Sequence, residues 1–150
     1  MSFYVNGTAG QAKYVNSGLW VANTPSDTEA FGLTYQQKHF DLGIFDKRVG
    51  SMWNDLSLAN GSVANQVIPI DPFSVTNLYL NYVLRNGSHF DQTKFRLSVN
   101  NLFNHRGIVG DQQASNTAAT YVPGNADQLT LLPGRSVALT VTLGFSLAKR

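Results

Sequence analysis

Three histidines, His39, His89 and His105, are the side chains that could move a proton near neutral pH or ligate a metal. None belongs to a His-x-x-x-His pair or stands beside a glutamate, and Asp41 and Asp91, the near neighbours of His39 and His89, suggest solvated turn pairs instead. A serine hydrolase would need a nucleophile on a sharp, glycine-flanked turn. Gly50-Ser51, Gly61-Ser62 and Gly87-Ser88 exist, but none takes the Gly-x-Ser-x-Gly form. Asn-Gly-Thr at Asn6 and Asn-Gly-Ser at Asn60 and Asn86 match glycosylation sequons, which turn formation explains better. There are no cysteines, so disulfides, thiolate metal sites and cysteine nucleophiles are all excluded. No catalytic residue, metal site or cofactor is expected. What remains is binding chemistry: Trp20, Trp53 with Asn54 and Asp55, and His105 with Arg106 offer stacking surface and a cation to an anionic ligand.

The elements that carry these residues read as strands. Val137, Leu139, Val141, Leu143 and Phe145 alternate with small or hydroxylated residues, giving one apolar and one polar face. Phe95, Leu97 and Val99 alternate with Lys94, Arg96, Ser98 and Asn100. The same period runs through Thr76 to Leu84, Phe31 to Tyr35 and Phe40 to Ile44, where it degrades around Asp46 to Arg48, and more weakly from Phe3 to Tyr14, where the turn-type pair Asn6-Gly7 interrupts. Six strands are expected in all. The tight connectors are Gln37 to His39 and Arg85 to His89, the second with an Asn-Gly hairpin signal. Long segments lie between the others: Val15 to Ser26, Ser51 to Pro72 and His105 to Pro133. Strict alternation of short and long connectors is the habit of an up-and-down transmembrane β-barrel, with short periplasmic turns and long extracellular loops. A soluble antiparallel sandwich also alternates, but Lys94 and Arg96 behind Phe95 and Leu97 suit a watery lumen better than a dry core.

Composition agrees. Charged residues make up 13% of the 150-residue chain, against about 25% in ordinary soluble domains, and only one acid, Glu29, is a glutamate. Long Glu/Lys-faced helices are therefore not expected. The formal net charge is +2 with basic residues scattered singly, so no nucleic-acid partner is expected. No stretch approaches the roughly 18 apolar residues of a membrane helix, and the first twenty residues carry neither a basic start nor an apolar run of signal-peptide type.

Four segments resemble the C-terminal end of a TonB-dependent outer-membrane receptor. Arg96-Leu97-Ser98-Val99-Asn100-Asn101-Leu102-Phe103-Asn104 is similar to the family's penultimate-strand signature, and Pro133-Gly134-Arg135 opens a last alternating strand that reaches Phe145. Asp71-Pro72-Phe73 leading into Asn77 to Tyr82, and Val21-Ala22-Asn23-Thr24-Pro25 followed by Tyr35, resemble its earlier descending strands. The resemblance spans about Val21 to Phe145. It implies a 22-stranded barrel around a plug, set in the lipid of the bacterial outer membrane and importing an iron-siderophore or similar scarce nutrient with energy from the TonB complex.

Residues 1–145 would then be the last six strands. The plug, the segment that contacts the TonB complex and about sixteen strands would lie outside this chain, which would not transport alone. Phe145 corresponds to the terminal aromatic that the barrel-assembly machinery recognises, although a tail, residues 146–150, follows it. The alternative is a stand-alone small β-barrel or β-sandwich binding or adhesion module, for which six strands fall short of the roughly eight that closed bacterial barrels need.

Overall fold

A computed structural model describes residues 1–57, 63–85, 90, 92–112 and 127–144. Phe145 and the tail after it, His89, Asp91, the Asn86-Gly87 turn signal and the Asn60-Gly61-Ser62 segment lie outside the described residues, as does the side chain of Asp55.

Ten strands and no helix make up the described residues: β1 (Ser2–Ala9), β2 (Asp27–Gln37), β3 (Phe40–Val49), β4 (Met52–Ser57), β5 (Val63–Ile70), β6 (Phe73–Val83), β7 (Lys94–Asn100), β8 (Ile108–Gln112), β9 (Gln128–Leu131) and β10 (Ser136–Thr142). Six of them form one antiparallel sheet in the order β1-β2-β3-β6-β7-β10. The four others pair as two hairpins, β4-β5 and β8-β9, inside the second and third long connectors. The chain is thus all-β, a meander whose long connections carry hairpins of their own.

Two of the strands end where the pattern did not suggest. β1 stops at Ala9, and Asn6 and Gly7 pair within it, opposite Ala30 and Glu29, instead of turning the chain. β3 runs on through Asp46, Lys47 and Arg48 to Val49, because the ladder with β2 and β6 continues past the last apolar residue. Its charged end is locally compensated. Arg48 donates to the Asp27 carboxylate and lies 3.8 Å from Glu29, and the Thr76 hydroxyl donates to Asp46.

Register decides the chemistry of the faces, since a strand's side chains alternate between them and Cα partners share one. Phe3, Leu33, Ile44, Leu78, Val99 and Val137 are consecutive partners, forming one apolar row across all six strands. A second row runs Tyr35, Leu42, Leu80, Leu97, Leu139, and a third, nearest the short turns, runs Phe40, Tyr82, Phe95, Val141. Towards the long connectors the face ends at the row Gly7, Glu29, Arg48, Ser74. The opposite face carries Gln36, Asp41, Asn81, Arg96 and Thr140 in one row and Thr34, Gly43, Tyr79, Ser98 and Ala138 in another.

On that polar face two glycines make room for rings. Phe45 and Tyr79 lie over Gly32 and Gly43, their directly opposed partners, and stack on each other at 6.1 Å between centroids. A Cβ on Gly43 would sit 2.3 Å from the Tyr79 ring, and one on Gly32 would sit 2.7 Å from the Phe45 ring. Such ring-over-glycine pairs pin register and bend a sheet.

No second layer covers either face of the sheet among the described residues. Ile68 and Ile70, in the β4-β5 hairpin, are the only buried apolar side chains there, whereas Leu139 on the apolar face is 68% exposed. β1 and β10 are edges, exposed along their whole length, with no strand paired on their outer sides among the described residues.

Candidate functional site

The long connectors converge at one end of the sheet. Backbone bonds stitch the first to the second: Asn23 N–H donates to Trp53 O at 2.7 Å and Ser26 N–H to Ser51 O at 3.0 Å. The second meets the third through the Asn54 side-chain amide, which donates to the Asp111 carbonyl. Between the feet of the two hairpins lies a recess of about 410 Å³, within the usual range for small-molecule sites. Ile68 and Ile70 contribute to its apolar floor, and His105, Arg106, Asp71 and Asp111 line its polar side.

Asn101 builds that polar side. It ends β7 in the left-handed region (φ 51°), where asparagine is among the few residues tolerated, and is 3% exposed. Its side-chain oxygen accepts from His105 N–H at 2.9 Å, and its amide nitrogen donates to the carbonyls of His105 and Pro133, both at 2.8 Å. Its own N–H donates to the Asn77 side chain at 3.0 Å. Asn104, also left-handed (φ 53°), accepts from Arg135 N–H at 3.0 Å. The residues of the Asn-Asn-Leu-Phe-Asn segment therefore clamp the Pro-Gly-Arg segment and fix the chain leaving β7. His105 is held from both sides of its backbone while its ring and the Arg106 side chain stay exposed.

Of the residues expected to bind a ligand, His105 and Arg106 line the recess. Trp53 does not line it but pairs with Pro69, which does, and Asn54 serves as a tie between hairpins. Trp20 is elsewhere. It bridges to Lys13 within the first connector, whose ammonium lies 4.8 Å from the indole centroid, so its ring is occupied within its own loop. Sequence reading missed Asn101 as a positioning residue, although an Asn-x-x-Asn at a strand end is a signal for left-handed backbone. It also missed Ile68 and Ile70, whose burial follows from a hairpin that polar flanking residues concealed.

Arg106 makes no ion pair among the described residues. A cation and an imidazole beside an apolar floor can hold a small anion that also carries apolar surface. Among the described residues no three His, Cys, Asp or Glu side chains group as a metal site would need. Comparison with protein-family models, curated proteins and solved structures gives no match. What the site can do is therefore read from its own geometry.

Proposed function

We propose that the six-stranded sheet is a stretch of barrel wall in a bacterial outer membrane, the C-terminal part of a TonB-dependent receptor that imports an iron-siderophore or a similar scarce nutrient. The observation that carries this reading is the register. It joins apolar side chains into rows across the sheet, one of them reaching from edge to edge, with aromatic Phe40, Tyr82 and Phe95 in the row nearest the short turns. Lipid accepts such a face uncovered, and aromatic girdles mark the interfaces of membrane barrels. A sandwich would cover it with a second sheet, and among the described residues neither two-stranded sheet packs on it. The polar face, with Lys94, Arg96, Asp41 and Asn81, suits a lumen that holds water or a plug.

The exposed edges at β1 and β10 support the view that this wall is completed by other strands. In lipid each unpaired backbone group costs several kcal/mol, so the remaining barrel strands, and the plug inside them, are the partners this reading requires. The TonB complex would act on that plug and the barrel-assembly machinery on the β10 end. The recess beside His105 and Arg106 is the place for first capture of an anionic chelate on the extracellular side.

Expression of residues 1–150 behind a signal peptide, with outer-membrane fractions assayed for heat-modifiable protein, tests this. The reading expects no folded monomer unless the missing strands are supplied. A stable, folded monomer of the chain alone would contradict it.

A further inference from the structure

At the end of the sheet away from the recess, the polar face forms a second hollow, of about 460 Å³, beside the β2-β3 turn. Lys38, Lys94 and Arg96 line it. Lys94 and Arg96 stand two residues apart on one strand, hence on one face and about 7 Å apart, and none of the three cations makes an ion pair among the described residues. Among the described residues Asp41 is the one carboxylate in the hollow, and it is already engaged: it accepts from the Tyr79 hydroxyl at 3.3 Å and from the Asn81 amide at 3.1 Å. Thr140 and Thr142, the direct partners of Arg96 and Lys94, add hydroxyl donors.

A second, independent observation comes from His39, which also lines the hollow. Its Nδ1 is shielded from solvent and has no hydrogen-bond partner among the described residues, and a buried polar atom without one asks for a ligand or water to complete it.

We infer that this hollow binds a phosphate-bearing anion. Three exposed cations with no ion pair among the described residues border one space, and a doubly charged oxyanion there accepts from Lys94, Arg96 and the threonine hydroxyls together. Carboxylates are less suited, having fewer acceptor directions for donors arriving from two strands and a turn. Phe40, Tyr82 and Phe95, which also border the hollow, form the aromatic row of the other face at the same height. Under the barrel reading the hollow lies on the lumen side of the rim at interface height, beside the β2-β3 turn, so the phosphate belongs to a soluble phosphate ester or to a headgroup that reaches over that turn. The anion site rests on the register and the side-chain chemistry; only its lipid arm depends on the barrel.

The full chain, refolded together with its completing strands in phosphate-free maltoside micelles and checked for a β-type circular dichroism spectrum, is titrated calorimetrically with glycerol 3-phosphate. In a parallel arm the micelles carry phosphatidylglycerol and binding is followed by phosphorus NMR line broadening. We expect saturable binding in at least one arm, weakening with added salt, at least tenfold weaker in the Lys94→Gln/Arg96→Gln double variant, and restored by Lys94→Arg/Arg96→Lys. Arg135→Gln, which removes a cation at the opposite end of the sheet, should bind as the parent does. Binding in the soluble arm alone assigns a free phosphate ester, and binding in the lipid arm alone assigns a headgroup. Equal binding by the parent and the double variant, or no binding in either arm, overturns the site. An assembly without a β spectrum lacks the sheet on which the site stands and overturns it too, whereas a β spectrum without phosphate binding overturns the site and leaves the barrel reading standing.

Discussion

The side-chain amide of Asn101 donates to the Pro133 carbonyl at 2.8 Å, joining the end of β7 to the start of β10 across the longest connector of the chain. The same side chain makes two more bonds to the backbone of His105. One residue thus fixes both the last turn of the sheet and the wall of the recess.

Asn101→Ala should lower unfolding free energy by about 2–4 kcal/mol, since three hydrogen bonds of about 1 kcal/mol each are lost and alanine is strained at a positive φ. Asn101→Gly, free of that strain, should recover about 1 kcal/mol of the loss. Urea unfolding in micelles measures both. Equal stability of the parent and the alanine variant would remove the clamp from the account.

The ring over Gly43 offers a test of the polar face. Gly43→Ala drives a Cβ into the Tyr79 ring and should cost about 1–3 kcal/mol, the usual penalty of overpacking. In a Tyr79→Ala background the same substitution should cost far less. A double-mutant cycle reads the difference, and additive effects would show that the ring does not rest there.

Arginine placed at two neighbouring positions separates the faces. Leu97→Arg puts a charge in the second apolar row and should cost about 2–4 kcal/mol in a bilayer. Ser98→Arg, one residue on and opposite Tyr79 on the polar face, should stay within about 0.5 kcal/mol of the parent. Folded fractions of the chain with its completing strands in lipid vesicles, followed by heat-modifiable mobility, report both.

Much of the sheet was legible in the sequence because period-two alternation and face chemistry are the same physical fact. Phe95-Arg96-Leu97-Ser98-Val99 can satisfy an apolar face only as a strand. Legibility fails where that coupling ends. The Asp46 to Arg48 end of β3 lies beyond the apolar rows, so nothing forces its residues to alternate even though the ladder continues. The β4-β5 and β8-β9 hairpins each carry a register irregularity, at Asn54/Leu56 and Ile108/Gly110, which breaks the period a reader would follow. The candidate recess was half legible. His105 and Arg106 stand out by type, but its floor comes from β5, and no local pattern announces that two separate hairpins meet there. The Asn101 clamp was present in the sequence as a motif and became a mechanism only once its three acceptor and donor partners were placed.

The central claim, that one face of this sheet meets lipid and the other a polar interior, has a direct measurement in a chain with no native cysteine. Single cysteines from Lys94 to Asn100 are spin-labelled one at a time in protein reconstituted into vesicles with its completing strands, and collision with oxygen is compared with collision with a nickel chelate. Oxygen accessibility should peak at positions 95, 97 and 99 and nickel accessibility at 94, 96 and 98, with a period of two residues. Equal nickel accessibility along the whole strand would mean that both faces see water, and would contradict the account.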